Sequence, residues 1–553
     1  MAKSRGLLIS YAGYPYTPSS LMPDNGLANL AGSLISDNHE IKIMDFGTVS
    51  TMRRMVPENI CGHLGRIYDK FADPTSDKTA LLEDIKKTDK ELAMHQSREL
   101  VRISNEISDE VERQKFDWVG FKLYVGDGYA GSKTIAEQIR KRTPNVKVYG
   151  GGPAVDILWE TISKDTKVFD LLAFAEGEET IIDLANYALG NTKANFPNIV
   201  NPNADLGKNG KTKVKRIENL DMLPAPVYDE EIYPSFFGNE KVKIIVVDES
   251  RGCPNYCSFC AQPLKSGYQR MRSAEKVFED IKRVVNEYNT VAFRYAGSST
   301  PIQLMKEVAE KILDSRLKVA YSSFGHVRQI TSETSETLAS LKDSGLKVLL
   351  FGIETGSQKN LDKLNKGNTL DGIIGAMEKT KAADIFRICS FIYPVPGETE
   401  KTTEETFGLI KRIQPDSIFI NFGAIFPGTP WGLSPEKFGF EVDMQQYKKF
   451  FLNYRIKTLF PPSLWEPLPY KLDGLEFTDI AKKTESFVNR LEEEGFVTRI
   501  TDEMVIFAET VGINIHEFKR LCSKIMFSGD WEKMQELNAS FNNSMSSMSR
   551  GLK

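Results

Sequence analysis

The sequence predicts an α/β protein: two successive strand–helix series, then a mainly helical region. Three observations predict it. Short apolar runs alternate with helically spaced apolar residues over the first 200 positions, and the alternation returns from 242 to about 430. Beyond 440 only helical spacing persists, as in Thr478–Glu494 and Asn514–Phe527. Such alternation indicates parallel sheets covered by helices. The 553 residues are 41% hydrophobic and 26% charged, the composition of a soluble globular chain of several domains of about 150 residues each. A net charge of −4 leaves no basic footprint for nucleic acid. No apolar run approaches the roughly 20 residues that span a bilayer. No leader is expected ahead of the first strand, and the cytoplasm is the expected location of an expected monomer.

In the first half, Gly6–Ala12, Glu40–Phe46, Trp118–Tyr124, Val146–Tyr149 and Asp170–Phe174 read as strands. Together they predict a doubly wound, Rossmann-like domain over 1–200, with its ligand beyond the carboxyl ends of the strands. The loops expected there are Gly13–Ser20, Val125–Ser132, Gly150–Pro153 and Glu176–Glu179. Residues 50–116 are charged and helical, an insertion between the second and third strands. It reads as a solvated helical hairpin or a cap over the ligand face, with Cys61 and His63 structural. Residues 201–241, rich in Asn, Lys, Pro and Asp, read as a linker.

The second series, 242–440, is long enough for six strand–helix units of a partial or full parallel barrel, with sites on the loops after the strands. Its first loop holds Cys253, Cys257 and Cys260 in the spacing C-x3-C-x2-C. Three thiolates so placed can hold three irons of a cubane cluster, leaving a fourth iron open for a substrate or cofactor. Six cysteines in 553 residues make a disulfide framework a weak reading. Zinc needs a fourth ligand, and the five histidines (His39, His63, His95, His326, His516) all lie far from this loop in sequence. Residues 441–553 read as a helical domain, with a frayed Asn/Ser/Met-rich tail from Asn538.

The cysteine spacing, with Phe259 before the last thiol, resembles the radical S-adenosylmethionine (SAM) superfamily. Later landmarks follow in the same order: Phe293–Pro301, Tyr321–Arg328, Val348–Gln358, Phe391–Thr399 and Phe426–Pro430. The resemblance implies a [4Fe–4S] cluster on Cys253, Cys257 and Cys260. It implies SAM against Phe259, Ala296, Gly297, Ser298, Ser299, Thr300, Ser323, Arg328 and Glu354, with His326 a weaker candidate. The family's Gly-Gly-Glu region lacks its acid here, Ser298–Thr300 standing in its place. An interior salt bridge is the other reading of Glu354.

The order of sheet domain, Leu-Asp-Met-Leu-Pro segment and barrel resembles the cobalamin-binding class of that superfamily, over about residues 5–435. The resemblance implies a Rossmann-like cobalamin-binding domain, a radical SAM partial (β/α)6 TIM-type barrel and a helical C-terminal region. Cobalamin is expected on Tyr14, Tyr16, Val125, Gly126, Asp127, Gly128, Ser132, Gly151, Gly152, Pro153, Glu176, Gly177 and Glu178. The Asp-x-His-x-x-Gly motif that ligates cobalt in some cobalamin domains is absent from the sequence. The implied activity is a class B type methyltransferase. It would pass a methyl group from SAM through methylcobalamin to a carbon of a peptide, protein or natural-product substrate, with a reductase, ferredoxin or flavodoxin as electron donor. A lipid or tetrapyrrole cyclase or rearrangement enzyme is the alternative.

Overall fold

The computed structural model describes residues 3–13, 18–72, 78–204, 211–455 and 460–550. Its first sheet holds β1 (Arg5–Ser10), β2 (Glu40–Asp45), β3 (Trp118–Lys122), β4 (Lys147–Gly151), β5 (Leu171–Ala173) and β6 (Ile199–Val200). The spatial order is β2-β1-β3-β4-β5-β6, parallel except at β5–β6. The order reverses at β1 and β3, and such a reversal opens a crevice at the carboxyl ends of the strands. The strands are apolar on both faces because helices cover both: Leu7, Leu8 and Ile9 of β1 and Trp118, Val119 and Phe121 of β3 are all buried. Gly6 is required by Trp118, whose ring lies 2.2 Å from where a Cβ would stand.

Between β2 and β3 run the helices Val49–Met55, Glu58–Ala72 and Lys78–Gln114. The last packs along the helix Asp127–Arg142, where Arg142 pairs with Asp109 and Glu112 at 2.7 and 2.6 Å. Cys61 is buried and donates to the Val56 carbonyl, a structural role.

The segment 201–241 is more than a linker. Tyr228, Tyr233 and Phe236 are buried in the core of the first sheet, and Tyr228 meets Tyr288 of the second unit edge-on at 5.2 Å. The Tyr233 hydroxyl accepts from the Asp24 amide at 2.7 Å and donates to Asp45. Three aromatics among many polar residues fill the seam between the two sheets.

The second unit contains β7 (Ile245–Val247), the hairpin β8 (Ser250–Arg251) and β9 (Arg270–Met271), then β10 (Ala292–Tyr295), β11 (Ala320–Phe324), β12 (Leu346–Glu354), β13 (Phe386–Ile392) and β14 (Ser417–Asn421). The sheet order is β7-β10-β11-β12-β13-β14, every pair parallel. Among the described residues β14 does not pair with β7, so the six-strand series is an open barrel. On one face, Val348, Leu350, Phe386 and Ile388 pack against Met504 and Val505 of the helix Asp502–Val511. On the same side Arg294 donates to Asp502 at 2.7 Å. The C-terminal region thus fills the face of the open sheet, beginning after a small antiparallel sheet at 440–476.

The expected frayed tail is instead the helix Trp531–Arg550. Trp531, Met534, Leu537, Phe541 and Met545 recur at helical spacing and are buried, Phe541 lying 4.7 Å from the Phe507 ring. Its polar residues bind main chain: Asn542 accepts from the Lys243 amide and donates to the Lys241 carbonyl, both at 3.0 Å. Low hydrophobicity suggested fraying, but Asn and Ser here replace water on the backbone of the seam. Among the described residues, no helix is long and apolar enough to cross a membrane.

Candidate functional site

A cleft of about 380 Å³ lies where the carboxyl edge of the first sheet faces the cysteine-bearing end of the second. Each wall is built differently. The first wall combines small residues (Gly120, Gly150, Gly151, Gly152, Ala173, Ala175 and Gly177) with apolar side chains such as Leu27, Leu30, Phe121 and Phe174, and carries Asn29, Lys122 and Asp156 as polar groups. Gly151 leaves room, since a Cβ there would meet Ala173 only at 3.5 Å. Lys122 is tied down by Asp24 at 2.7 and 2.8 Å, and Tyr124 donates to the same carboxylate at 3.2 Å. Asp156 accepts from the Ala175 amide at 2.7 Å. Burial pushes its carboxyl up to about 6. Ala175 holds φ of 63°, a left-handed conformation unusual for a residue with a Cβ.

The second wall is charged and pinned. It comprises Asp248, Ser250, Arg251 and Gly252, then Gln262, Lys265 and Ser266, then Ala296, Gly297 and Ser298. Arg251 reaches Glu178 and Asp248, both at 2.5 Å. Arg270 forks onto Glu176 at 2.7 and 2.9 Å. Glu176 and Glu178, expected as cofactor contacts, are therefore the anchors that bind the first sheet to the hairpin β8–β9. They line the cleft, but their carboxylates are engaged by arginines.

The cysteine loop follows directly. Cys257 is buried, and Cys253 and Cys260 are half-buried. The loop is held from outside by Asn255, whose amide donates to Cys253 Sγ at 3.6 Å and meets His326 Nε2 at 3.0 Å, while its carbonyl accepts from Arg328 at 2.7 Å. Behind it, Lys366 pairs with Glu354 at 2.7 Å and lies 5.8 Å from the Phe259 ring. Burial pushes the Cys257 thiol up to about 11, with Lys366 opposing. Burial, then the neighbouring cations Arg328 and Lys366, bring His326 down to about 4, so its ring is neutral. Among the described residues no three His, Cys, Asp or Glu side chains converge on one ion; a cluster instead takes each thiolate on a different iron.

Of the residues expected around SAM, Ala296, Gly297 and Ser298 line the cleft. Ser299 and Thr300 are buried behind it. Phe259, Arg328 and Glu354 surround the cysteine loop, Glu354 in an interior salt bridge and at φ of 73°. Ser323 is a correction: it is fully buried, and its hydroxyl turns to Met305 Sδ at 3.8 Å, because alternation along β11 aims it at the covering helix. Among the residues expected around cobalamin, Gly151, Gly152, Glu176, Gly177 and Glu178 line the cleft, whereas Val125, Gly126, Asp127, Gly128, Ser132 and Pro153 do not. Gly126 lies under the segment 452–455: its amide donates to the Leu452 carbonyl at 2.8 Å, and a Cβ would lie 2.3 Å from the Tyr454 carbonyl oxygen. Asp127 is held by Arg455 at 3.2 Å, and Ser132 is fully buried. Tyr14 and Tyr16 lie outside the described residues. The sequence reading missed Asn255, Lys366, Asp156 and Lys122. The only signal for Asn255 was its place between Cys253 and Cys257, and Lys366 lies just beyond the Val348–Gln358 landmark.

Comparison with known proteins follows the same division. Residues 250–410 match the model of the radical SAM superfamily, and residues 92–185 match that of the B12 binding domain. The chain thus carries a B12-binding domain and a radical SAM domain. Its cofactors are accordingly a [4Fe–4S] cluster, SAM and cobalamin. It is 26% identical over 304 residues to an uncharacterized methyltransferase of Pyrococcus horikoshii, covering 54% of this chain and 64% of that one. It is also 26% identical over 364 residues to an anaerobic magnesium-protoporphyrin IX monomethyl ester cyclase of Rubrivivax gelatinosus, covering 63% and 64%. The matched stretch thus spans less than two thirds of either relative. Among solved structures, the fold resembles the radical SAM methyltransferase TsrM of Kitasatospora setae, solved with cobalamin and a [4Fe–4S] cluster, at a TM-score of 0.64. Identity is 12%, with 96% of this chain and all of that one (100%) covered. It also resembles the cobalamin-dependent SAM radical enzyme OxsB, at a TM-score of 0.60 and 14% identity, covering 97% and 72%. At such identities the likeness is one of fold.

Proposed function

We propose that this B12-binding radical SAM protein is a methyltransferase, carrying a methyl group from SAM by way of cobalamin to a carbon centre of a peptide, protein residue or natural product. The observation that carries this reading is the shared cleft: one cavity is lined both by the glycine-rich edge of the first sheet and by the loops beside Cys253 and Ala296. Two cofactors can therefore face one substrate. The similarity to a methyltransferase of Pyrococcus, and the fold shared with the methyltransferase TsrM, support methyl transfer.

Cys253, Cys257 and Cys260 would hold the cluster, a donor set of three thiols on one loop that suits it. Buried hydroxyls without partners at Tyr295 and Ser299 suit a polar ligand at the 296–300 loop. The small residues of the first wall suit a flat, broad ring. When bound, the cluster supplies the electron that cleaves SAM, and cobalamin supplies a methyl carrier. The chain's own residues orient and exclude water. Asn255 fixes the outer edge of the cysteine loop, Lys366 and Glu354 fix its inner edge, and Arg251 and Arg270 hold the two walls together. A ferredoxin, flavodoxin or reductase in the cytoplasm would supply the electron.

Methyl-labelled SAM tests the proposal. Label in product supports methyl transfer. Deoxyadenosine accumulating with unlabelled product points instead to a cyclase, the reading that the Rubrivivax relative favours.

A further inference from the structure

Glu249 stands between β7 and β8, four residues ahead of Cys253, and its side chain is wholly buried. Its carboxylate accepts from the Gly297 amide at 3.0 and 3.2 Å, from the Thr300 hydroxyl at 2.8 Å and from the Ser250 hydroxyl at 2.8 Å. Gly297 has to be glycine, for a Cβ there would lie 2.2 Å from Glu249 Oε1. Among the described residues no Lys, Arg or His pairs with Glu249, although its neighbour Asp248 and the facing acids Glu176 and Glu178 all have arginines.

A buried carboxylate without a counter-ion is costly, and three donors offset only part of that cost. Its position explains why it persists. The loop Ala296–Thr300 carries no acid of its own, and Glu249 sits directly behind the stretch of that loop that lines the cleft. A ligand with a cation at the loop would provide the missing counter-charge. SAM carries two cationic groups, an ammonium and a sulfonium.

We propose that Glu249 is a positioning residue for the cationic end of SAM. It shapes the 296–300 loop and supplies from the neighbouring strand end the negative charge that this loop lacks. The same residue couples the loop to the segment leading into Cys253, so both are held in one register. This proposal rests on the reading of the cleft as a SAM site.

The test uses full-length protein with its iron–sulfur cluster reconstituted anaerobically, and reads binding by equilibrium dialysis. Two ligands are compared: SAM, and 5′-methylthioadenosine, which keeps the nucleoside but lacks the aminocarboxypropyl group and the sulfonium. Glu249→Gln should weaken SAM about tenfold or more, the scale of a lost charge-assisted contact, while methylthioadenosine binding and iron content stay at wild-type levels. Glu249→Asp should recover part of the SAM affinity. If Glu249→Gln is poorly folded, the two ligands are compared on Glu249→Asp, whose SAM affinity should still fall short of wild type while methylthioadenosine binding is kept. Unchanged SAM affinity, or equal loss for both ligands, overturns the role of Glu249. Failure of the wild-type protein to bind SAM overturns the underlying reading instead.

Discussion

The two parallel sheets reach the same cleft by different means. In the first, strand order reverses at β1 and β3, and topology alone opens a crevice there. In the second, each strand follows its predecessor, so no crevice comes free. The functional end must be built by particular residues at each strand end: the cysteines after β7–β8, Gly297 after β10, Arg328 after β11, Glu354 at the end of β12. A wall made by topology needs only small or apolar side chains, which many residues supply. A wall made residue by residue leaves motifs. That contrast predicts different sensitivities of the two walls to mutation.

The largest effect should follow from Cys253→Ala, Cys257→Ala or Cys260→Ala. Iron bound after anaerobic reconstitution falls to background, while hydroxocobalamin binding, followed by its visible absorption, persists. Loss of both together would break the division into two walls.

Next in size is Arg270→Ala, which strips the buried Glu176 of its paired guanidinium and leaves it the Ile217 amide at 2.7 Å and Arg251 at 3.7 Å. A cost of about 3 kcal/mol is expected. Because this pair joins the sheets, urea unfolding should separate into two transitions. A single transition with unchanged midpoint would mean that the seam aromatics carry the joint.

Two glycines of the first sheet sharpen the comparison. Gly126→Ala places a side chain at φ of 67° and against the Tyr454 carbonyl, and should destabilise by about 1–3 kcal/mol without changing cobalamin affinity. Gly151→Ala should do the reverse, weakening cobalamin binding with little change in stability. Opposite results would restore the loop after β3 to the ligand surface.

The smallest effect is a pH dependence. The Asp156 carboxyl stands at about 6 in the fold against an ordinary 3.8. Between those values the folded state keeps a proton that the unfolded state has released. This contribution is therefore full below about pH 3.8 and is lost as pH rises through 6. Wild type should lose melting temperature relative to Asp156→Asn over that interval, and parallel curves would remove Asp156 from the buried set.

The contrast between the walls also explains what could be read beforehand. The cysteine spacing, the strand–helix alternation of the second series and the 296–298 loop were legible because each is local, whereas a partial and a full barrel could be told apart only by whether β14 meets β7. The alternation of β1 to β5 with helices was legible for the same reason. The first wall was legible only in part. Gly151 and Gly152 line the cleft, but Gly126 and Gly128 look identical to them in sequence, and they serve to admit the Tyr454 carbonyl and the Tyr124 side chain respectively. The tail was misread because Asn538, Asn542 and Ser549 are polar, and only their main-chain partners reveal a docked helix.

The sequence by itself determined the order of elements, the thiol triplet and the absence of an acid from the 296–300 loop. These depend on neighbours along the chain. Only the tertiary structure decided which glycines face the cleft, which acids meet arginines and which carboxylate stands behind Gly297. Those outcomes join residues far apart in sequence, such as Glu176 with Arg270 and Glu249 with Thr300. Burial then fixes their charge and partners in a way that no local pattern encodes.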